Sequence, residues 1–253
     1  MPVVLHPDEL PAQRGPGWVE RAWAGAVPFG APVPMEARHC VIEPGAAGAA
    51  MRLGGQEALV YVAAGAGTAE AGGEQFVLGP ESVLWLASCD EVSLRAGAEG
   101  LDALVAESTG PAGPAGQPLV KVFAAAELPH LVSTRDTRDR LDLVTDDVPV
   151  GAQRIRADRI TYHPGDTAAA HYHADCYHVF CVLAGSGLMH ADQGAARLEA
   201  GMSALVGPGE VHWFENDTDA NFSFVEFWAP PPTDTVWTVT GDRCTWAPSR
   251  TSS

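Results

Sequence analysis

Short apolar runs, each broken by glycine, proline or aspartate, dominate the hydrophobic pattern of the chain. The clearest are Ala58-Leu59-Val60-Tyr61-Val62, His178-Val179-Phe180-Cys181-Val182-Leu183 and Phe222-Ser223-Phe224-Val225-Glu226-Phe227-Trp228. Such runs read as strands, because β-branched and aromatic side chains pack well on a pleated surface while glycine and proline end it. A helical period is not sustained anywhere for long; weak traces near 17–24 and 124–128 predict short helical pieces at most. The pattern predicts an all-β sandwich or barrel.

Turn glycines recur at a fixed interval. Pro44-Gly45 and Gly65-Ala66-Gly67 return 120 positions later as Pro164-Gly165 and Gly185-Ser186-Gly187. Glycine at a turn serves a positive φ or a close backbone approach, so the repeat reports a fold shared by two halves. Between them, Gly110-Pro111-Ala112-Gly113-Pro114-Ala115-Gly116-Gln117-Pro118 has turn chemistry and no core-forming side chain, which predicts a linker. The expected division is a first domain over 1–110 that includes an N-terminal arm, a linker over 111–118 and a second domain over 119–253. A chain of 253 residues is long enough for each half to bury a core.

The formal charge of -17, with only 15 lysines and arginines spread thinly, leaves no basic stripe for a phosphate backbone. No apolar run approaches the roughly 20 residues of a membrane span, and the N-terminus lacks the basic-then-apolar order of a signal peptide. A cytoplasmic protein is therefore expected, with neither nucleic acid nor membrane as partner. The 5 cysteines, at irregular spacing, read as reduced thiols.

Four of the 9 histidines form a pattern. Alternate residues of a strand share a face, so His171 and His173 stand together, their Cα atoms roughly 6.5 to 7 Å apart. Two imidazoles so placed can reach one ion at about 2.0 to 2.1 Å. His178 follows His171 at an odd interval, so the chain between Ala174 and Tyr177 must break the strand and reset its register. His212 follows the corner Gly207-Pro208-Gly209 and lies on a later strand that can close over the same interior. In the first half the corresponding places hold Met51, Leu53, Ala58 and Asp90, so one half is expected to chelate and the other is not.

The segment Gly165-x5-His171-x-His173-x4-His178-x6-Gly185 resembles the first motif of the cupins, and Gly201-x5-Gly207-Pro208-Gly209-x2-His212-x3-Asn216 resembles the second. The resemblance implies two tandem jelly-roll barrels with little helix, the first degenerate. It also implies one divalent transition metal, Fe, Mn, Ni, Cu or Zn, held by His171, His173, His178 and His212. Two positions depart from the family: His178 stands where a glutamate is usual, and Gly207 where a proline is. The first departure matters, since a neutral imidazole in place of a carboxylate leaves the ion its full charge and disfavours Mg or Ca.

Glu226 is the remaining candidate for chemistry, because a carboxylate in so apolar a strand either faces solvent or serves the cavity as an acid or base. Tyr162, Tyr172 and Tyr177 are candidate hydrogen-bond donors, and His163 and His190 candidate lining residues. Cys176 and Cys181 read as buried packing. The charged run Arg135-Asp136-Thr137-Arg138-Asp139-Arg140 reads as a solvated loop or salt-bridged turn. With four imidazoles on an octahedral ion, two positions stay open, which resembles the cupin dioxygenases acting on a small-molecule substrate. A non-redox cyclase, isomerase, lyase or aminohydrolase, and a noncatalytic binding module, remain open beside that reading. So does a homodimer paired through edge strands.

Overall fold

The computed structural model describes residues 2–23, 33–48, 50–53, 56–109, 117–147, 150–239 and 243–249. It is all-β: the helical pieces among the described residues are the single 3-10 turns Pro7–Glu9 and Ala125–Glu127. The trace near 17–24 is instead the strand Trp18–Ala22, which pairs with Met35–Ile42. A full set of cross-strand partners there outweighs a weak local period. No helix among the described residues is long and apolar enough to cross a membrane.

The chain forms two compact units. The first comprises Met1–Glu9, Leu128–Thr145 and Arg156–Ser253, and the second Leu10–Glu127 and Asp146–Ile155. The seams therefore differ from those expected at 110 and 119. Val3–Leu5 adds to the edge of Ser203–Val206 in the first unit, and Leu119–Ala124 covers Ser82–Ala87 in the second. An open strand edge carries unpaired N–H and C=O groups, and pairing satisfies them whatever segment supplies the partner. Residues 153–155 are fixed to the second unit by the Glu57 carboxylate, which accepts from the backbone N–H groups of Gln153, Arg154 and Ile155. Most of the anticipated linker lies outside the described residues.

The first unit is a sandwich of two antiparallel sheets. One runs, in spatial order, Val3–Leu5, Ser203–Val206, Tyr177–Ala184, Phe222–Ala229, Arg156–Tyr162, Asp139–Val144, His130–Ser133 and Trp246–Pro248. The other runs Gly194–Glu199, Ser186–Ala191, His212–Glu215, His171–Tyr172 and Val236–Trp237. Period-2 alternation sends Phe222, Phe224, Glu226 and Trp228 to one face, in register with Tyr162, Ile160, Asp158 and Arg156. Phe180, Phe214, Phe222 and Phe224 meet with ring centroids 4.8 to 6.4 Å apart to make the core. Each such buried ring contributes about 2 to 3 kcal/mol of burial free energy.

The second unit is one sheet built on two long strands, Ala58–Ala71 and Glu91–Ser108, which change neighbours along their length. The sequence repeat is a structural one. Register shifts between Val62 and Ala64 in this unit and between Val182 and Ala184 in the other, the same bulge 120 positions apart. Gly65 and Gly185 follow it with φ of +76° and +74°. A Cβ at Gly185 would lie 2.0 Å from the Asn221 carbonyl oxygen, and one at Gly65 2.3 Å from that of Gly100. Met51, Leu53 and Ala58, at the places that hold histidines in the first unit, are buried in the apolar core of the second.

Gly165 also has a positive φ, yet a Cβ there meets nothing within 4 Å. Replacing it with alanine is expected to cost about 1 kcal/mol of backbone strain. Gly185→Ala adds a clash with fixed backbone and is expected to cost about 3 kcal/mol or more. Urea denaturation of the two variants measures the difference, and equal costs would remove the close approach as the reason for this glycine.

Candidate metal centre

His171 and His212 are direct partners on adjacent strands of the five-stranded sheet. His173 lies just beyond the end of the His171 strand, and His178 is the second residue of the strand Tyr177–Ala184 in the opposing sheet. The bend between Tyr172 and Tyr177 carries the chain from one sheet to the other, which is how an odd spacing still points inward. Ring centroids lie 5.3 Å apart for His171 and His173, 4.7 Å for His171 and His212, and 5.9 Å for His173 and His212. The ligand atoms of these three side chains all lie within 4.8 Å of one another.

Each ring of this triad is held by a backbone carbonyl. His171 Nδ1 donates to Ala169 O at 2.8 Å, His173 Nδ1 to Asp234 O at 2.9 Å and His212 Nδ1 to Glu210 O at 3.0 Å. A carbonyl can only accept, so Nδ1 carries the proton and Nε2 presents its lone pair. This is the outer-shell device that orients a metal-binding imidazole. Burial pushes the His171 imidazolium down to about 4, with repulsion from His173 adding to it against the Ala169 bond. Burial likewise lowers His173, and holds His178 and His212 well below the ordinary range. All four rings are therefore neutral at neutral pH, the form that ligates.

His178 stands next to the triad but outside the cluster of converging ligand atoms. Its ring centroid is 4.8 Å from that of His173 and 5.5 Å from that of His212, against Trp228 at 4.5 Å. Its Nε2 is buried with no hydrogen-bond partner among the described residues. Leaving such an atom unsatisfied costs about 1 to 3 kcal/mol, a cost that a bound cation would offset. The nitrogen-only donor set, already neutral and oriented, fits one divalent transition ion such as Fe, Mn, Ni, Cu or Zn.

These rings line a cavity of about 160 Å³. Phe180, Phe214 and Phe224 form its apolar side, and Trp228, Trp237 and Trp246 further walls. Glu226 lines it too, buried and directly opposite Asp158 across the pair of strands. Burial, with the Asp158 charge adding, holds the Glu226 carboxyl well above the carboxylate range. Asp158, itself fully buried, is pushed up to about 7 by desolvation against the pull of Arg140 and Arg156. The two acids thus form a pair that retains a proton at neutral pH.

Of the two readings of the arginine run, the salt-bridged one holds, with Arg138 on Asp136, and the solvated loop is overturned. Arg138 and Arg140 are no solvated loop: both line the cavity, and Arg138 is only 3% exposed. Arg138 donates to Tyr162 Oη at 3.2 Å and Asp136 at 2.9 Å; Arg140 pairs with Asp142 at 2.5 Å and Asp158 at 3.2 Å. Their guanidinium carbons lie 5.5 and 5.4 Å from the Trp246 ring. Burial is tolerable because carboxylates and aromatic faces replace water around the charge. The alternation Arg138, Arg140, Asp142 was the available signal, and it resembles a solvent-facing strand. Cys244, whose Sγ accepts from Arg138 at 3.0 Å, reaches the cavity as well.

Other candidates fall elsewhere. His163 bonds Asp139 and Asn221, and His190 stacks on Trp213 at 4.9 Å beside Glu215; neither lines the cavity. Tyr162 does, whereas Tyr172 and Tyr177 do not. Cys176 and Cys181 are buried thiols whose ionisation desolvation pushes up, and they do not line it either. Asn216, fully buried, bonds the carbonyls of Tyr162 and Ala220 and so anchors the strand end that carries His212.

No curated protein matches the sequence. Among solved structures, the chain is similar to oxalate decarboxylase from Bacillus subtilis, with a TM-score of 0.73 at 15% identity over 93% of this chain and 78% of that one. A second structure of that enzyme, described for its Mn(II) centres, matches with a TM-score of 0.71 at 14% identity over 93% and 79%. Protein Ylba from E. coli, of the family DUF861, matches with a TM-score of 0.72 at 18% identity over 90% of each chain. Such identities speak for the fold alone. The histidine-bearing segment over residues 158–228 matches the cupin domain family, and the chain shares the tandem jelly-roll fold of these structures.

Proposed function

We propose that the protein is a metal-dependent cupin enzyme that acts on a small organic metabolite, with a non-haem dioxygenase or related oxidoreductase as its class. The observation that carries this reading is the set of three neutral imidazoles, each locked with Nε2 free, converging inside an aromatic-walled cavity. His178 is proposed as the fourth ligand, supported by its partnerless Nε2 and its place against His173. A redox-active ion held by these imidazoles would supply the electron transfer that a reaction of the substrate with dioxygen needs. Phe180, Phe214, Trp228 and Trp237 keep water from the reacting atoms, which strengthens every polar contact inside.

Glu226 is proposed as the general acid and base. It lines the cavity, and Asp158 opposite helps to keep it protonated, so it can donate a proton to a developing anion and recover it afterwards. The same acid pair favours a second reading, a non-redox lyase or hydrolase, because proton delivery alone suffices for that chemistry once an ion polarises the substrate.

Protein purified without added metal is expected to retain about one divalent transition ion per chain, measured by mass spectrometry of the elements. His212→Ala should lose it, and His178→Ala should retain no more than about a tenth. Full occupancy in the latter variant would reduce the ligand set to the triad. With small enols or diketones as substrates, an oxygen electrode should register consumption in step with turnover; turnover without consumption would select the non-redox class.

Glu226→Gln is expected to lower kcat by about 10² to 10⁴ at unchanged metal content. Because the protonated form is the working one, activity should fall as pH rises through the raised Glu226 ionisation. Asp158→Asn removes a neighbouring charge that raises it, so the alkaline limb of the rate profile should move to lower pH. A limb that stays in place would remove Asp158 from the titration.

A further inference from the structure

The charges around the cavity leave something for the substrate to supply. Arg138, Arg140 and Arg156 stand against Asp136, Asp142 and Asp158, so these side chains offset one another. Glu226 is held neutral by burial and adds no charge. Imidazoles ligate as neutral rings, and the Nδ1 bonds of His171, His173 and His212 to main-chain carbonyls leave Nε2 as the donor, so these side chains add no negative charge. A divalent ion among them therefore brings two positive charges that no carboxylate ligand of the protein offsets. In a desolvated space such an excess is costly until an anion arrives.

Two guanidinium edges show where one could sit. Arg138 gives Nε to Asp136, Nη2 to Ser133 and Cys244, and one Nη1 hydrogen to Tyr162. Of its N–H groups, the second on Nη1 has no protein partner among the described residues. Arg140 turns Nε and Nη2 to Asp142 and Asp158 and stands over the Trp246 ring, with no hydrogen-bond partner for Nη1 among the described residues. Both arginines line the same small cavity as the histidines. Guanidinium edges on an aromatic wall favour a planar carboxylate over a neutral group.

We propose that the cavity takes a small organic acid, with its carboxylate on the free edges of Arg138 and Arg140 and an adjacent hydroxyl or oxo oxygen directed at the histidine cluster. This rests on the reading of the site as a metal centre and names its substrate class. The aromatic walls and the cavity volume of about 160 Å³ limit the rest of the molecule to a few atoms.

Cobalt(II)-loaded protein provides the test, since its visible absorption responds to ligands whether or not they turn over. Glycolate, lactate and pyruvate are expected to perturb that spectrum at concentrations at least about ten-fold lower than their amides. Arg140→Gln should erase most of this preference while cobalt content stays as in the wild type. Equal binding of acids and amides, or a preference untouched in Arg140→Gln, overturns the proposal. A second measurement needs no variant: in metal-free wild-type protein, acids should still quench tryptophan fluorescence at lower concentration than amides, because the arginines remain. Equal quenching there also overturns it. Should the protein take up no cobalt, the metal reading falls, and an acid preference in the metal-free titration keeps the arginine site standing by itself.

Discussion

Three hydrogen bonds from imidazole N–H groups to main-chain carbonyls set the terms for everything at the cavity. By tying Nδ1 of His171, His173 and His212 to Ala169, Asp234 and Glu210, the fold chooses one tautomer for each ring and aims the opposite nitrogen inward. The acceptors come from three loops, so the arrangement needs the strand pairing of His171 with His212 and the docking of Val236–Trp237 beside His171–Tyr172. Burial then removes the competing proton: a ring shifted down to about 4, like that of His171, offers its lone pair throughout the neutral range. Positioning and proton affinity are thus set by the same packing.

The two halves show what this costs. Both carry the same bulge and the same crowded glycine, and both turn inward the side chains at three matching places on the chain that follows the Pro-Gly turn. In the second unit those side chains are Met51, Leu53 and Ala58, and they close into a continuous apolar core. In the first unit imidazoles occupy the places, and a cavity stays where the core of the other half is filled. Apolar packing would have been the more stable choice, since buried imidazoles cost desolvation that only a bound group returns. One barrel keeps the packing and the other gives it up for a site.

Much of this was legible in residue order, and the rest was hidden for definable reasons. His171, His173 and His212 could be read because period-2 geometry and turn glycines fix their direction locally. Glu226 could be flagged because a carboxylate among phenylalanines has few places to go. Arg138 and Arg140 could not, because alternating charges look alike whether a strand faces water or a cavity. Only the partners on neighbouring strands, Asp158 and Tyr162, and the late segment carrying Trp246 reveal which. The exchange of edge strands, Val3–Leu5 to one unit and Leu119–Ala124 to the other, was equally invisible, since pairing partners far apart in sequence leave no local trace.

The presence of His178 where a carboxylate is usual in the resembling family ties these threads together. A glutamate there would cancel one charge of a bound ion; an imidazole cancels none, and the deficit passes to whatever else enters the cavity. Two carboxylates that this barrel buries, Asp158 and Glu226, face each other across paired strands, with Glu226 opposite Phe180 and two residues along from Trp228, the strand partner of His178. The negative charge this strand pair buries is instead stabilised by Arg140 and Arg156, both paired with Asp158. In the proposed reaction an anion at the arginines and a proton at Glu226 would be complementary: the first would balance the ion before reaction, and the second would be available when charge develops during it.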